Sequence, residues 1–254
     1  MKLLHRKLRR DIRRQRAQFG AVAVTVFLGA FMFGLSLDAF KNLEASYDSS
    51  FVRYQFANFT IDGGDSRSIA NEVAATEGVE ATTSRVQADV PFAVGKDKLL
   101  GRVVGFPTGR RPAVNDLDVI EGTYLRQSQP DGVIVDQNMS EAFEIGVGDS
   151  VQVVGAGGPV EVEILGIGAS PEYFWPARSR QDLIPAPKDF GVLYVPEKLA
   201  ETVAGLTGPN QVVAYYDGGD DSKELDSELA STADEGGASG SFTRAEQPSN
   251  GALE

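Results

Sequence analysis

AQFGAVAVTVFLGAFMFGLSL, residues 17–37, is a run of 21 residues without a single charge. At about 1.5 Å of rise per residue, a helix of this length reaches roughly 31 Å, enough to cross the hydrocarbon core of a bilayer. The competing reading is a secretory signal peptide, whose apolar core spans about 7–15 residues and ends in a small-x-small cleavage site. Here the apolar run is longer, and only weak sites such as Leu43-Glu44-Ala45 follow it. The run reads as a transmembrane helix.

The flanks give the helix a direction. The chain has 24 basic and 36 acidic residues; eight of the former and one of the latter lie in MKLLHRKLRRDIRRQR, residues 1–16. That leaves 16 basic and 35 acidic residues after Arg16, so a basic arm precedes an acidic body. Arginines beside an apolar span sit at lipid headgroups, which argues against nucleic-acid binding by the arm. By the positive-inside rule the arm is cytoplasmic and everything from Asp38 onward is outside. Leu4, Leu8, Ile12 and Phe19 share one face, so the arm reads either as an amphipathic helix on the inner leaflet or as a solvated run of stop-charges. The expected location is the cell membrane, crossed once by this chain.

The exterior part, about 215 residues, is long enough for one core or two small ones. It contains no cysteine, so no disulfide braces it. Phe40, Leu43, Tyr47, Phe51 and Tyr54 repeat at spacings of three and four with no Gly or Pro between them, which extends the helix as a stalk over residues 38–56. About 17 more helical residues add roughly 25 Å. Such an apolar stripe either takes a partner helix or packs on the base of its own domain.

Beyond Phe56 short strands and helices alternate. Residues 57–62 read as a strand, Gly63-Gly64 as a turn, and 67–77 as a helix capped by Asp65 or Ser66 and ended at Gly78. Residues 86–94 alternate as a half-buried strand and return through GKDK to 99–106. From Gly132 come a strand at 133–135, the short helix NMSEAFEIG, the strand in VGDSVQVV, and a return strand through Val160, Val162 and Ile164. Gly155 and Gly157 suggest a dinucleotide loop, but Val160 occupies the place of the third glycine and no helix pattern follows, so GAGGP is a hairpin turn. Strands at 191–195, 211–216 and 240–244 alternate with helices at 196–206 and 222–232. The expected fold class is α+β: a split βαβ, porter-like sheet from 57–106 and 191–246, carrying an inserted β-rich subdomain at 107–190.

Several chemistries find no residues here. There is no GxxxxGK[ST] loop, so the chain does not hydrolyse ATP by itself. The one histidine, His5, lies in the basic arm, which excludes Ser-His-Asp and Cys-His catalysis outside. DGGDDSKELD (217–226) lacks EF-hand spacing and reads as a solvated loop and helix start. No carboxylate pair stands out as a hydrolase centre. The chain is read as a non-enzyme without cofactor or metal.

LRRDIRRQRAQFGAVAVTVFLG leading into LDAFKNLEASYDSSFVRYQFANFTI resembles one family. The resemblance continues through VVGFP, NDLDVIEGTYL, GVIVDQNMSEAFEIGVGDSVQV, ILGIGASPEYFWPARSRQDLIPAPKDFGVLYVP and FTRAEQPSNGALE. In order and spacing these resemble FtsX-like ABC-transporter permeases with a MacB-like extracytoplasmic domain. The resemblance implies a first span, a large exterior domain and three further spans that contact a cytoplasmic ATPase. In similar chains a descending stalk follows the exterior domain. Here residues 247–254 read as the start of that second stalk, cut short, as in a truncated permease or a split subunit.

PEYFWPARSRQDLIPAPKDF (171–190) joins the β-rich part to the strand at 191–195. Its four prolines stiffen it and its aromatics can pin it, which reads as a structural strut; the other reading is a contact surface using Trp175, Arg178 and Arg180. The resemblance implies a permease domain that couples ATP hydrolysis on a partner subunit to movement of a substrate. Phe40, Leu43, Tyr47 and Phe51 are then the stalk contacts with the remaining spans or with a second copy. The alternative is a single-span scaffold docking an extracytoplasmic partner.

Overall fold

The computed structural model describes residues 15–173, 188–216 and 222–247, and within the first helix the backbone but not the side chains of 16, 19, 39, 40 and 42–49. In chain order the elements begin with α1 (Arg16–Arg53), β1 (Phe59–Gly63), α2 (Ser66–Ala75), β2 (Val79–Arg85), β3 (Gln87–Val94) and β4 (Asp97–Phe106). They continue with β5 (Asp118–Gly122), β6 (Gly132–Asp136), α3 (Gln137–Phe143), β7 (Ser150–Gly155) and β8 (Gly158–Ala169). A 3-10 turn (Pro171–Tyr173) precedes β9 (Phe190–Pro196), α4 (Glu197–Ala204), β10 (Gln211–Tyr216), α5 (Ser222–Glu235) and β11 (Ala238–Thr243), and a second such turn (Arg244–Glu246) follows.

Two compact units divide the chain, residues 1–49 and 50–254. The first contains most of α1, where Gly20–Asp38, of mean hydropathy 2.1, is long and apolar enough to cross a membrane. The side chains described there are exposed, Phe27, Met32 and Phe33 each by about two-thirds. Helix α1 ends at Arg53, three residues short of the expected stalk end. Gln55 adopts φ +45°, outside helical space, and Phe56 N–H reaches back to the carbonyl of Phe51 at 2.8 Å.

In the second unit, one sheet has the order β11-β1-β10-β2, all antiparallel. Its strands alternate, so Phe59, Ile61, Val212, Ala214 and Tyr216 share one face. Ile69 and Val73 of α2 and Leu229 and Ala233 of α5 cover that face. Helix α2 starts where expected because the Asp65 side chain accepts from Ser68 N–H at 3.2 Å. Gly64, at φ +67°, lets the chain pass the carbonyl of Gly236, which a Cβ would approach to 2.6 Å.

The other sheet has the order β5-β8-β6-β9-β4-β3-β7, and β7 also pairs with β8. Six strands thus close into a small barrel, and β5 extends the sheet outside it along β8. Phe92, Val103, Val133, Val151, Val153, Val162, Ile164 and Leu193 fill the barrel. The Phe92 ring occupies the space beside Gly101, where a Cβ would lie 2.0 Å from it. On the opposite face of β4, β6 and β9, Val104, Phe106, Ile134, Val192 and Tyr194 lie under Leu117, Leu125 and Tyr173. Strands β6 and β9 are buried on both faces, which explains their unbroken apolar runs.

Strand pairing divides the chain differently from the expectation. The hairpin β3–β4, strand β9 and helix α4 belong with the barrel, not with the α/β sheet expected from 57–106 and 191–246. The cause is the parallel pairing of β4 with β9, from Leu100↔Phe190 to Phe106↔Pro196, a long-range register that neither strand's pattern encodes. Strand β2 carries Ala-Thr-Thr-Ser at 81–84 and offers no apolar signal, and β5, largely exposed, offers none either. The GAGGP hairpin forms as read, with Gly155 opposite Gly158.

Phe56 is fully buried, its ring centroid 5.0 Å from that of Phe51. A fragment of residues 50–247 is therefore expected to melt cooperatively, and one of 57–247 to melt lower. Losing a buried phenylalanine side chain costs about 3–5 kcal/mol, or roughly 6–20 °C for a domain of this size. Circular dichroism melts of both fragments test this; equal midpoints would mean that residues 50–56 contribute no core.

Candidate functional site: a polar clamp at the foot of the first helix

Where the chain leaves α1, residues 54–57 turn out of the helix and their backbone groups need new partners. Two segments distant in sequence supply them. From the loop between β4 and β5, Asn115 N–H donates to the carbonyl of Gln55 at 3.0 Å and Asp116 N–H to that of Tyr54 at 3.1 Å. The Asn115 side-chain oxygen accepts from Ala57 N–H at 2.7 Å. From the turn after β11, Arg244 Nη2 donates to the Phe56 carbonyl at 2.9 Å and Nε to that of Ala57 at 3.3 Å. The Arg244 guanidinium lies over the rings of Phe51 and Phe56, 5.2 and 5.7 Å from their centroids, where a cation is attracted to the ring faces.

Asn115 is fully buried at φ +57°, a conformation asparagine tolerates better than most residues. Its Nδ2 donates to Glu172 Oε2 at 3.1 Å. Glu172 stands in the 3-10 turn after β8 and engages both terminal nitrogens of Arg85, at the end of β2. The Arg85 Nη1–Glu172 Oε2 distance is 2.8 Å. Arg85 Nε donates to Gln211 Oε1 at 2.7 Å, and Gln211 Nε2 donates to Asp62 Oδ1 at 2.7 Å. One connected network thus runs from the helix foot through barrel and sheet.

The turn holding Glu172 is fixed from below. Tyr173 is buried, its hydroxyl donates to Gln87 Oε1 at 3.0 Å, and its carbonyl accepts from Asn138 Nδ2 at 3.3 Å. Asn138 N–H in turn donates to Asp136 Oδ1, the cap of α3, at 3.0 Å. Burial pushes the Asp136 carboxyl up to about 7, partly offset by the Asn138 side chain and the first N–H groups of α3. Arg85 is 2% exposed. Burial alone would lower its pKa, but the Glu172 carboxylate beside it more than offsets this and the net shift is upward. Breaking such a buried pair costs about 3–5 kcal/mol, whereas the partly exposed Arg111–Asp116 pair belongs to the class worth about 0–1 kcal/mol.

Every charged group of this network is engaged with a partner, so the arrangement suits holding backbone in place rather than bond-making chemistry. Among the described residues no group of three or more His, Cys, Asp or Glu is disposed to hold a metal. Asp226, from the acidic run 217–226, accepts from the Tyr216 hydroxyl; residues 217–221 lie outside the described residues.

Of the residues singled out in sequence, Phe51 is half-buried in this clamp. Phe40, Leu43 and Tyr47 lie within α1, with side chains outside the described residues. Trp175, Arg178 and Arg180 lie outside the described residues, as does the expected second-stalk start from 248 onward. Sequence reasoning missed Arg85, Asn115, Glu172 and Arg244. Their contacts span 57 to 188 positions, and the local hints, an arginine closing a polar strand and an Asn-Asp after Pro112, are faint.

Asn115→Ala is expected to lower stability by about 2–4 kcal/mol, since it orphans buried groups and places a Cβ without a polar partner at positive φ. Asn115→Gly relieves the backbone strain but not the lost bonds, and is expected to fall between alanine and wild type in thermal melts. A glycine variant as stable as wild type would mean that the side-chain bonds contribute nothing. The Asp136 carboxyl has a raised pKa in the fold. Its stabilising contribution is therefore complete below about pH 4 and is lost as pH rises through about 7, by about 1.4 kcal/mol per unit across that window. Melting curves from pH 5 to 8 should show Asp136→Asn gaining on wild type as pH rises; parallel curves would contradict this.

Residues 19–232 match the family model described as the MacB-like periplasmic core domain. Among solved structures, the extracellular domain of the noncanonical ABC-type transporter YknZ from Gram-positive bacteria is similar at 16% identity and TM-score 0.47, covering 74% of this chain and 98% of that one. The periplasmic region of MacB from Actinobacillus actinomycetemcomitans is similar at 14% identity and TM-score 0.45, covering 72% and 86%. At such low identities and TM-scores these structural likenesses add nothing to the family match. No curated protein matches the chain. On the family match, which spans most of its length, the chain belongs to the family of MacB-like periplasmic core domains, the extracytoplasmic domain of an ABC transporter permease.

Proposed function

We propose that this chain is the first span and extracytoplasmic domain of a permease that couples ATP hydrolysis on a cytoplasmic partner to movement of a substrate. The observation that carries this reading is the clamp. The backbone just beyond α1 is bonded to the barrel through Asn115 and to the end of the α/β sheet through Arg244, so displacement of that backbone acts on both. A simple tether has no need of two side chains, one of them fully buried, bonded to the backbone at its attachment point.

On this reading the arm of residues 1–16 is cytoplasmic, α1 crosses the membrane once, and the domain lies outside, as the basic arm and the apolar run favour. The sheet β11-β1-β10-β2, with α2 after its first strand and α5 before its last, is read as the porter-like split βαβ part. The barrel is its insertion. Phe40, Leu43, Tyr47 and Phe51, spaced by threes and fours in the sequence, are read as the contacts with a further permease span or a second copy. Residues 171–190 are read as a strut; on the other reading of this stretch, Trp175, Arg178 and Arg180 are contacts for an extracytoplasmic partner. The domain itself is non-catalytic, and the nucleotide is held by the ATPase.

The chain has no cysteine, so single introduced cysteines report without background. Gln152→Cys and Ser231→Cys, both at exposed positions, are expected to react with an impermeant thiol reagent in intact cells stripped of any outer barrier. Labelling only after lysis would reverse the topology. In membranes containing the neighbouring gene products, Leu43→Cys or Tyr47→Cys should crosslink to a permease subunit or to a second copy. No crosslink from either position would demote the chain to a membrane-tethered scaffold.

A further inference from the structure

The chain passes between the α/β sheet and the barrel at two places. One is Val86, between the last residue of β2 and the first of β3; the other is the connection 205–210 between α4 and β10. Asn210 ties the two crossings together. Its Oδ1 accepts from Gln87 N–H at 2.8 Å, its Nδ2 donates to the Gln87 carbonyl at 2.9 Å, and its own N–H donates to the Arg85 carbonyl at 3.1 Å. Two adjacent backbone passages bonded to each other form a hinge line.

Other contacts from the barrel side then set the angle about that line. One is apolar: Val114 packs on Ala57 and Val213, and its N–H donates to Thr83 Oγ1 at 3.2 Å. Another is ionic: Glu172, fixed to the barrel by Tyr173 and Asn138, reaches Arg85. These differ in kind. Apolar packing is non-directional and tolerates sliding, whereas a bidentate guanidinium–carboxylate pair has one geometry. Buried ion pairs as a class add little net stability over apolar residues of similar size, yet half a pair is strongly unfavourable. Such a pair is weak as glue and strong as a two-state selector.

We propose that the buried Arg85–Glu172 pair is a latch that selects one angle between the α/β sheet and the barrel, and through Asn115 ties that angle to the foot of α1. The latch is a property of the domain, and only its consequence for the helix rests on the coupling reading above. Glu172 Oε2 accepts from both Arg85 and Asn115, so a change at Arg85 alters the partner set of the residue that bonds the backbone beyond α1. An altered sheet–barrel angle is thereby felt at the foot of α1 through Asn115.

The test uses the full chain in lipid nanodiscs, with spin labels on Gln152→Cys of β7 and Ser231→Cys of α5. Thermal melting and the label–label distance distribution are measured together. Wild type should give a single narrow distribution. Arg85→Met with Glu172→Leu, which also takes a partner from Gln211 and from Asn115, should still melt cooperatively, at a lower midpoint, while the distribution broadens or splits. Glu172→Gln, which keeps the shape and removes the charge, is the second variant, should the first not fold, and should also broaden it. A narrow wild-type distribution in either folded variant overturns the latch. Neither readout involves the ATPase. Broadened distances without crosslinks from Leu43→Cys or Tyr47→Cys would leave the latch standing and remove the coupling reading; crosslinks with unchanged distances would do the reverse.

Discussion

A guanidinium removed from water has to be neutralised where it lies, and Arg85 is 2% exposed at the last position of a sheet strand. Much of the domain's interior is arranged around that requirement. The opposite charge cannot come from β2 itself, which ends there, so it comes from the turn after β8. That turn is in turn held by a buried tyrosine, by Gln87 at the start of β3, and by Asn138 at the start of α3. The remaining capacity of the glutamate is taken by Asn115, which carries the bonding to the backbone beyond α1. One desolvated charge thus connects three parts of the chain that share no strand pairing.

The two sheets differ in how they reach stability. The α/β sheet is covered on one face by α2 and α5, with strands that alternate in the ordinary way. The barrel closes on itself through the β7–β8 hairpin, and its strands β6 and β9 are apolar on both faces, because loop residues Leu117, Leu125 and Tyr173 cover the outside. Closure removes sheet edges from the barrel and leaves it a compact body. A compact body joined to a one-sided sheet by two adjacent backbone crossings is the situation in which a directional contact, rather than more apolar area, defines the relative position.

The clamp also gives the acidic balance of the exterior part a context. Of its few basic groups, Arg85 and Arg244 are spent inside the domain on backbone and carboxylate oxygens, and Arg102 pairs with Asp89 while lying over Phe190. The surface is left correspondingly acidic, which favours solubility and disfavours polyanion partners.

The sequence by itself determined whatever rests on local pattern. It gave the apolar helix, because 21 uncharged residues admit few other readings. It gave α2, with its Asp65 cap, the β7–β8 hairpin at its glycine turn, and the strand at 211–216, because capping, turn chemistry and two-residue alternation act within a few residues. The family resemblance rested on the order of such pieces. Tertiary structure alone decided which strands share a sheet: β4 and β9 look the same whether they pair with each other or with β1. It alone made Arg85, Glu172, Asn115 and Arg244 into one site, since each is an unremarkable polar residue in its own neighbourhood. Their role follows from the partners they meet, brought together from up to 188 positions apart, and for Arg85 and Asn115 from burial as well.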